Sequence, residues 1–315
     1  MKVLSVFMML VFGTFGGNLQ HYDRELSTIK LLYYSPTITW YDDPIEITRE
    51  WKYVGDISPS RKYLKLLIHG WNADSDHVAL ETVKNSYMKI NTSHLLMADW
   101  REIASMRYIT ARELIPLIGK QICQLLRKFV EQALIGPDRM HIIGHSLGAH
   151  IATHVGRCFN GEISRMTALD PAGPLFNSIS VDALNKNDFK FVDSIHTSAG
   201  FAGEFEMRSH ADFYPNDGKA PQPGCELLDV LTLSGCSHFR APLYFSESIL
   251  IPQSFNAFKC DLLFIKSQTC LNFFNASDMI VMGEQIDKRI SGSFYLESFS
   301  TFPYGKSSYP AIKEV

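Results

Sequence analysis

A serine between two glycines is the feature of this chain that most directly indicates a reaction. The segment Gly144-His145-Ser146-Leu147-Gly148 follows an apolar run and precedes a helix-like stretch, which is the context of a nucleophilic serine on a strand-to-helix turn. On such a turn the serine Oγ is exposed, and the amide of Leu147 lies where an oxyanion would develop. The pattern predicts acyl transfer through Ser146, and an ordinary glycine-rich turn is the alternative.

A nucleophilic serine needs a base and an acid that orients the base, here expected in the chain order serine, acid, histidine. Asp170 is the favoured acid because it follows a predicted strand and begins a turn that two prolines stiffen. Asp193, inside another predicted strand, is the rival. His196 and His238 are both candidates for the base. His238 has a slight advantage because a disulfide predicted at Cys236 would pin its loop.

A second backbone amide is needed to complete an oxyanion hole. The segment Ile68-His69-Gly70-Trp71-Asn72 follows a predicted strand and is similar to the H-G-x-x turn that supplies this amide in serine hydrolases. The predicted donor is the N–H of Trp71, whose ring would border the acyl pocket.

The sequence predicts that apolar strands alternating with helices hold these residues in place. Strands are predicted at 64–68, 94–98, 140–143, 166–169, 189–195 and 292–298, and helices at 78–90, 107–134 and 146–157, with a break near Pro116. This alternation predicts an α/β fold with a mostly parallel sheet and helices on both faces. Beyond residue 241, apart from the last strand, the pattern is irregular. Ligands of such folds bind at the carboxyl ends of the strands.

Composition and the first residues indicate the compartment. The formal net charge of −3 argues against a nucleic-acid partner. Residues 1–17 combine Lys2, an apolar run and a small-residue stretch, which predicts a cleaved signal peptide and a secreted, extracellular protein. Two sequons predict glycosylation at Asn91 and Asn275.

Six cysteines fit an oxidising compartment. Proximity along the chain favours the pairs Cys225–Cys236 and Cys260–Cys270, which leaves Cys123–Cys158. No C-x-x-C pair is present, so a zinc cluster is not expected and no metal site is predicted.

Taken together, the motifs resemble the pancreatic-lipase family, the secreted neutral lipases and phospholipases A1 of animals. The matching pieces, in the order of the family, are His69-Gly70-Trp71, Ala98-Asp99-Trp100, 144–150, 169–174, 191–197, 212–216 and 236–240. The resemblance implies an α/β-hydrolase domain at 18–305, followed by a tail at 306–315. It also implies that Ser146, Asp170 and His238 are catalytic, that Trp71 and Leu147 form the oxyanion hole, and that no cofactor is needed. It places His196 outside the triad.

Three departures from the family pattern refine the expected substrate. The lid segment between Cys225 and Cys236 has only ten residues, too few for a broad helical flap, and the loop between His196 and Asp212 is also short. Short loops are typical of phospholipase A1 members such as the insect enzymes. No calcium site is expected, since Ala183 and Asn185 replace a supporting residue and a ligand. The chain also ends without the family's β-sandwich, so no colipase is expected.

The leading hypothesis is a hydrolase that cleaves the sn-1 ester of phospholipids at a lipid–water interface. A triacylglycerol or galactolipid lipase is the nearest alternative. A non-catalytic storage or lipid-binding protein, like the insect yolk proteins, is a further one, and the presence of all three triad residues argues against it. Five apolar residues of the lid segment are expected to touch lipid: Leu227, Leu228, Val230, Leu231 and Leu233.

Overall fold

The computed structural model describes residues 19–34, 43–52, 63–273 and 279–308. The predicted signal peptide, Asn275 and most of the predicted tail lie outside these residues. Within the described ranges, no helix has both the length and the apolar character needed to cross a bilayer.

One mixed sheet organises the described chain. Its strands are β1 Lys30–Tyr34, β2 Ile45–Ile47, β3 Leu64–Ile68, β4 His94–Asp99, β5 Met140–His145, β6 Arg165–Leu169, β7 Val192–Ile195, β8 Ala211–Pro215, β9 Asn256–Lys259, β10 Met279–Val281 and β11 Gly292–Leu296. Their order is β10-β9-β11-β8-β7-β6-β5-β3-β4-β1-β2. The strands from β11 to β4 in this order run parallel, and antiparallel strands complete both edges. The predicted mostly parallel sheet is therefore confirmed.

Helices cover both faces of the sheet, because its central strands are apolar on both sides. The α-helices are α1 Asp23–Ser27, α2 Val78–Ile90, α3 Arg101–Ala104, α4 Tyr108–Glu113, α5 Ile115–Ala133, α6 Leu147–Cys158, α7 Glu226–Thr232, α8 Gly235–His238, α9 Arg240–Leu250 and α10 Leu262–Lys266. Helices α5 and α6 bury their apolar sides in the core on one face, and α2 and α9 do so on the other. The predicted two-sided cover is confirmed.

The predicted break near Pro116 is present. Helix α4 ends at Glu113, and α5 begins at Ile115 with Pro116 in its first turn. Proline is tolerated there because the first amides of a helix have no partner within it. The long amphipathic stretch thus folds as two helices separated by Leu114.

The interpretation of the chain beyond residue 241 as irregular was wrong. The structure forms helix α9 there, and strands β9 and β10 follow. Both strands are short and lie at the antiparallel edge, where β9 pairs with β11. Strand β9 pairs with β10 and β11, which begin 20 and 33 residues after it ends, so local periodicity carries little signal for these strands.

Three disulfides join the cysteines in the pairs that proximity favours. Cys123–Cys158 links α5 to the end of α6, Cys225–Cys236 closes the lid segment, and Cys260–Cys270 closes a surface loop after β9. Each bond therefore cross-links neighbouring helices or closes a short loop rather than joining strands of the sheet.

Buried charges tie the beginnings of the central strands together. The guanidinium of Arg165, at the start of β6, donates to both carboxylate oxygens of Asp193 on β7, at 2.8 and 3.0 Å. It also donates to the carbonyls of Gly283 and Glu284. Lys65 on β3 pairs with the Glu284 side chain. A buried ion pair is tolerated when its remaining polar atoms are satisfied in this way.

Candidate active site

Ser146 lies on the sharp turn between β5 and α6. Its backbone has φ 55° and ψ −124°, a conformation that a non-glycine residue adopts only with strain. Its amide donates to the carbonyl of Leu169 at 3.1 Å, the residue directly before Asp170. The strained turn is the local geometry that the glycine-serine motif predicted, and it leaves the Ser146 side chain only partly buried.

Asp170 and His238 are brought together by the structure. The Nδ1–H of His238 donates to Oδ2 of Asp170 at 2.6 Å. Asp170 is fully buried, and its Oδ1 accepts the backbone amides of Thr197 at 2.8 Å and Ser198 at 3.1 Å. The carboxylate is thus held by three donors, and the bond to Nδ1 leaves Nε2 of the imidazole as the nitrogen that can take a proton.

His238 ends a short helix rather than lying on a loop, so the expected loop position was wrong. Helix α8 has its amide–carbonyl bond from His238 to Ser234 at 2.9 Å. Helix α9 follows after one residue. Helical backbone on both sides limits the direction of the His238 side chain, and Cys236 of the same short helix forms the disulfide with Cys225.

His145 contacts His238, and sequence reasoning missed it. Its Nε2–H donates to the carbonyl of His238 at 3.1 Å, and the two rings lie 4.5 Å apart. Burial, helped by the nearby His238, lowers the pKa of His145 well below its ordinary value. A neutral imidazole therefore supports the backbone of His238. The available signal was its place in the motif, directly before Ser146.

The rival residues have structural partners. His196 is buried and donates from Nε2 to Asp212 and from Nδ1 to the carbonyl of Glu204, both at 3.0 Å. Burial opposes the charge on His196, but Asp212 outweighs it and raises the pKa. The other rival, Asp193, is bound by Arg165. Neither residue has a free group to offer a substrate.

The contact between the nucleophile and the base is not formed in this structure. In the described part of the chain, no hydrogen bond joins the Ser146 hydroxyl to His238, although the latter is bound to Asp170. Such bonds are often long in unliganded hydrolases and tighten when substrate binds. Two of the three expected triad members are therefore in contact, and the third lies on the neighbouring strand end.

The turn after β3 lies against the nucleophile. A Cβ on Gly70 would be 2.7 Å from Cβ of Ser146 and 3.3 Å from its Oγ. Trp100 fixes this turn from behind, since its ring stacks on His69 and its Nε1 donates to the His69 carbonyl at 3.0 Å. Trp71 follows Gly70 directly, so its amide belongs to the part of the turn that borders Ser146.

The other predicted oxyanion donor and the Trp71 ring have clear positions. Leu147 is the first residue of α6, and the first amides of a helix have no partner within the helix. The Trp71 ring is 41% exposed, meets Tyr108 edge to face, and donates from Nε1 to the carbonyl of Met106 at 2.7 Å. It forms part of the surface beside the site.

The lid segment contains a helix of seven residues, Glu226–Thr232, here called the lid helix. Its length agrees with the expectation that no broad flap forms. The apolar residues of the segment are 50–75% exposed. They are Leu227, Leu228, Val230, Leu231 and Leu233.

The stretch at 182–188, where some family members bind calcium, is held by protein contacts. Asp188 accepts the Arg157 guanidinium at 3.0 Å, and the side chain of Asn185 accepts the amide of Asn187. Asn91 of the first sequon is exposed at the end of α2. The glycosylation of Asn91 stays a prediction, as does that of Asn275.

A serine on the turn after β5, an aspartate after β6 and a later histidine, set around a mostly parallel two-sided sheet, define an α/β-hydrolase. A model of the lipase family matches residues 56–304. The chain belongs to this family, in the pancreatic-lipase group that its motifs indicate.

Two relatives show the extent of the similarity. Pancreatic triacylglycerol lipase of Oryctolagus cuniculus is 33% identical over 217 residues, which are 62% of this chain and 46% of that protein. Pancreatic lipase-related protein 2 of Cavia porcellus is 33% identical over 204 residues, 62% of this chain and 45% of that protein. The chain spans about half the length of the curated relatives it matches. Among solved structures, that of esterase PE8 covers 44% of this chain and 70% of its own at 16% identity, with a TM-score of 0.35, which is too low to bear on function.

Proposed function

We propose that this protein is a secreted serine hydrolase of lipid esters, with phospholipase A1-type cleavage of the sn-1 acyl ester. The observation that carries the proposal is the bond from His238 Nδ1 to the buried Asp170 carboxylate beside the strained turn of Ser146. Membership in the lipase family supports the lipid ester as substrate class. Three disulfides support an oxidising, extracellular destination.

In the proposed reaction, Ser146 Oγ attacks the ester carbonyl while Nε2 of His238 takes the hydroxyl proton. Asp170 holds the imidazole in the required tautomer and stabilises its charged form. The amides of Trp71 and Leu147 donate to the oxyanion. The lipid alcohol leaves with the proton from His238, and water then hydrolyses the acyl-enzyme through the same base.

The lid segment supports a phospholipid as the substrate. Its seven-residue lid helix is too small to cover a wide opening, so a polar headgroup has room beside the site. Its exposed leucines and valine supply an apolar surface next to His238 that suits contact with lipid. Neutral glycerides are the second candidate substrate, favoured by the names of the similar triacylglycerol lipases.

The mechanism is tested with a fluorophosphonate probe, which phosphorylates an activated serine. The wild type is expected to be labelled, the Ser146→Ala variant is not, and the matched variant Ser178→Ala, which changes an exposed serine, is expected to label normally. A wild type that is not labelled, or Ser146→Ala labelled at full rate, contradicts the proposal.

Specificity is tested with one preparation against phosphatidylcholine labelled at sn-1 or sn-2, triolein and a galactolipid. We expect fatty acid from the sn-1 position of phosphatidylcholine and loss of this release in Ser146→Ala. Release of fatty acid from triolein, with none from phosphatidylcholine, would contradict the phospholipase proposal and indicate a neutral lipase.

A further inference from the structure

The lid helix lies on the surface and has no fully buried apolar side chain. None of the residues of Glu226–Thr232 is buried, and its aliphatic side chains point outward. A helix of seven residues is unstable in water on its own. Polar and covalent contacts must therefore contribute to its shape and position.

Two such contacts lie side by side. The Cys225–Cys236 disulfide holds the first end of the lid helix. One turn later, Asp229 Oδ1 accepts the amide of Ser237 at 3.0 Å, and its Oδ2 accepts the Ser237 hydroxyl. Residues four apart share one face of a helix. The Asp229 carboxylate and the two sulfur atoms accordingly all lie within 4.8 Å of one another.

The partners of these contacts are consecutive residues that lead directly to His238. Ser237 is fully buried, and its Oγ accepts the amide of Gln222 at 2.6 Å. The side chain of Gln222 donates to the carbonyl of Pro215 at 2.9 Å, at the end of β8. A continuous chain of hydrogen bonds thus runs from the lid helix through Ser237 to the sheet.

We propose that Asp229 is a positioning residue for His238, and that it fixes the lid helix and helix α8 as one rigid unit. The inference rests on the proposed function for its catalytic consequence. Asp170 sets the imidazole through Nδ1, and Asp229 sets the backbone of the preceding residue, so His238 is held from two sides. The lid helix then forms a fixed apolar wall rather than a flap that swings separately.

The test compares Asp229→Ala with Asp229→Asn and with Glu226→Ala. Asparagine keeps an acceptor for the Ser237 amide but not for its hydroxyl proton, so its effect should be intermediate. Glu226→Ala removes the same charge from an exposed position of the same helix and is the matched control. Thermal unfolding establishes that each variant is folded.

Kinetics on a soluble short-chain ester give the first readout. We expect Asp229→Ala to lower kcat about tenfold, since small displacements of a catalytic group are costly, with KM within twofold of the wild type. Glu226→Ala should keep both values. A purely structural or lipid-binding role of Asp229 would leave kcat on a soluble ester unchanged, and that result would overturn the proposal.

Hydrogen exchange gives a readout that does not depend on activity. Amides of 226–238 should exchange faster in Asp229→Ala than in the wild type or Glu226→Ala. Unchanged exchange in Asp229→Ala refutes the proposed rigid unit of the lid helix and helix α8, whether or not the wild type hydrolyses an ester. A wild type that hydrolyses no ester contradicts the proposed function instead. Faster exchange with an unchanged kcat refutes the link to His238.

Discussion

Gly203 allows a sharp test of the geometry around Asp170. A Cβ at this position would be 2.4 Å from Oδ1 of Asp170, whereas ordinary contact begins near 3.4 Å. The loop has little freedom to retreat, because the amides of Gly203 and Glu204 are bonded to the carbonyls of Ser198 and Pro171. Gly203→Ala must therefore displace the carboxylate by up to about 1 Å.

Such a displacement disrupts the 2.6 Å bond to His238. A misplacement of about 1 Å costs roughly a hundredfold in rate, which corresponds to about 2.7 kcal/mol of transition-state stabilisation. We expect kcat/KM of Gly203→Ala for a soluble ester to fall by this factor. The assay is initial-rate hydrolysis combined with thermal unfolding, which measures the accompanying change in stability.

Gly200 in the same loop is the matched control. A Cβ there meets nothing within 4 Å, but the residue has φ +88°. Gly200→Ala should cost roughly 1 kcal/mol of stability, because the left-handed conformation disfavours alanine, and should leave the rate unchanged. If Gly203→Ala hydrolyses the ester at the wild-type rate, the inferred role of the Asp170 position is refuted.

Two further predictions concern buried charges. Burial, opposed by Arg208, raises the pKa of Glu204 to about 7. Because the pKa of Glu204 is higher in the folded protein than in the unfolded chain, the folded state favours the protonated carboxyl. The stability that depends on this protonated form is complete below about pH 4.5 and is lost as the pH rises through 7. Glu204→Gln should abolish that loss, of roughly 3 kcal/mol, in urea unfolding at pH 5 and pH 8. Asp193→Asn should destabilise the protein by about 3–5 kcal/mol in the same assay at pH 7, because Arg165 stays buried without its partner.

Each of these predictions has a control. For Glu204→Gln, the difference in unfolding free energy from the wild type at each pH isolates the contribution of Glu204. If the variant and the wild type lose the same stability between pH 5 and pH 8, the prediction is contradicted. For Asp193→Asn, the control is Asp287→Asn, which breaks an exposed pair with Arg289 and should change stability little. Similar losses of stability in the two variants would show that burial of the ion pair does not determine the cost of breaking it.

Local sequence patterns were sufficient to predict an element where that element is long or strongly apolar. The strand at 64–68, the helix at 78–90 and the parallel arrangement were predicted from periodicity and are confirmed. The short strands β9 and β10 were not, because they have only four and three residues and show no clear alternation. Helix α9 was missed because it contains Pro242, Tyr244 and Phe245, which have low intrinsic preference for a helix.

The candidate site was predictable to the extent that its residues fall in local motifs. The motif gave the turn of Ser146, and Asp170 could be favoured from its position after a strand. Residues that act on other residues were not accessible in this way. His145 contacts His238 across a sequence separation of 93 residues, and Asp229 contacts Ser237 across a separation of 8 residues. No spacing rule predicts either contact.

The turn that carries Ser146 and the end of β3 meet through their main chains. A Cβ on Gly148 would be 2.2 Å from the Ile68 carbonyl oxygen, and a Cβ on Gly70 would be 3.2 Å from the His145 carbonyl oxygen. The proposed oxyanion donors are thus amides without rotamers, so substrate binding freezes no side-chain entropy at that point. Surrounding side chains are then free to diverge toward different acyl chains or headgroups while the reacting centre keeps its shape.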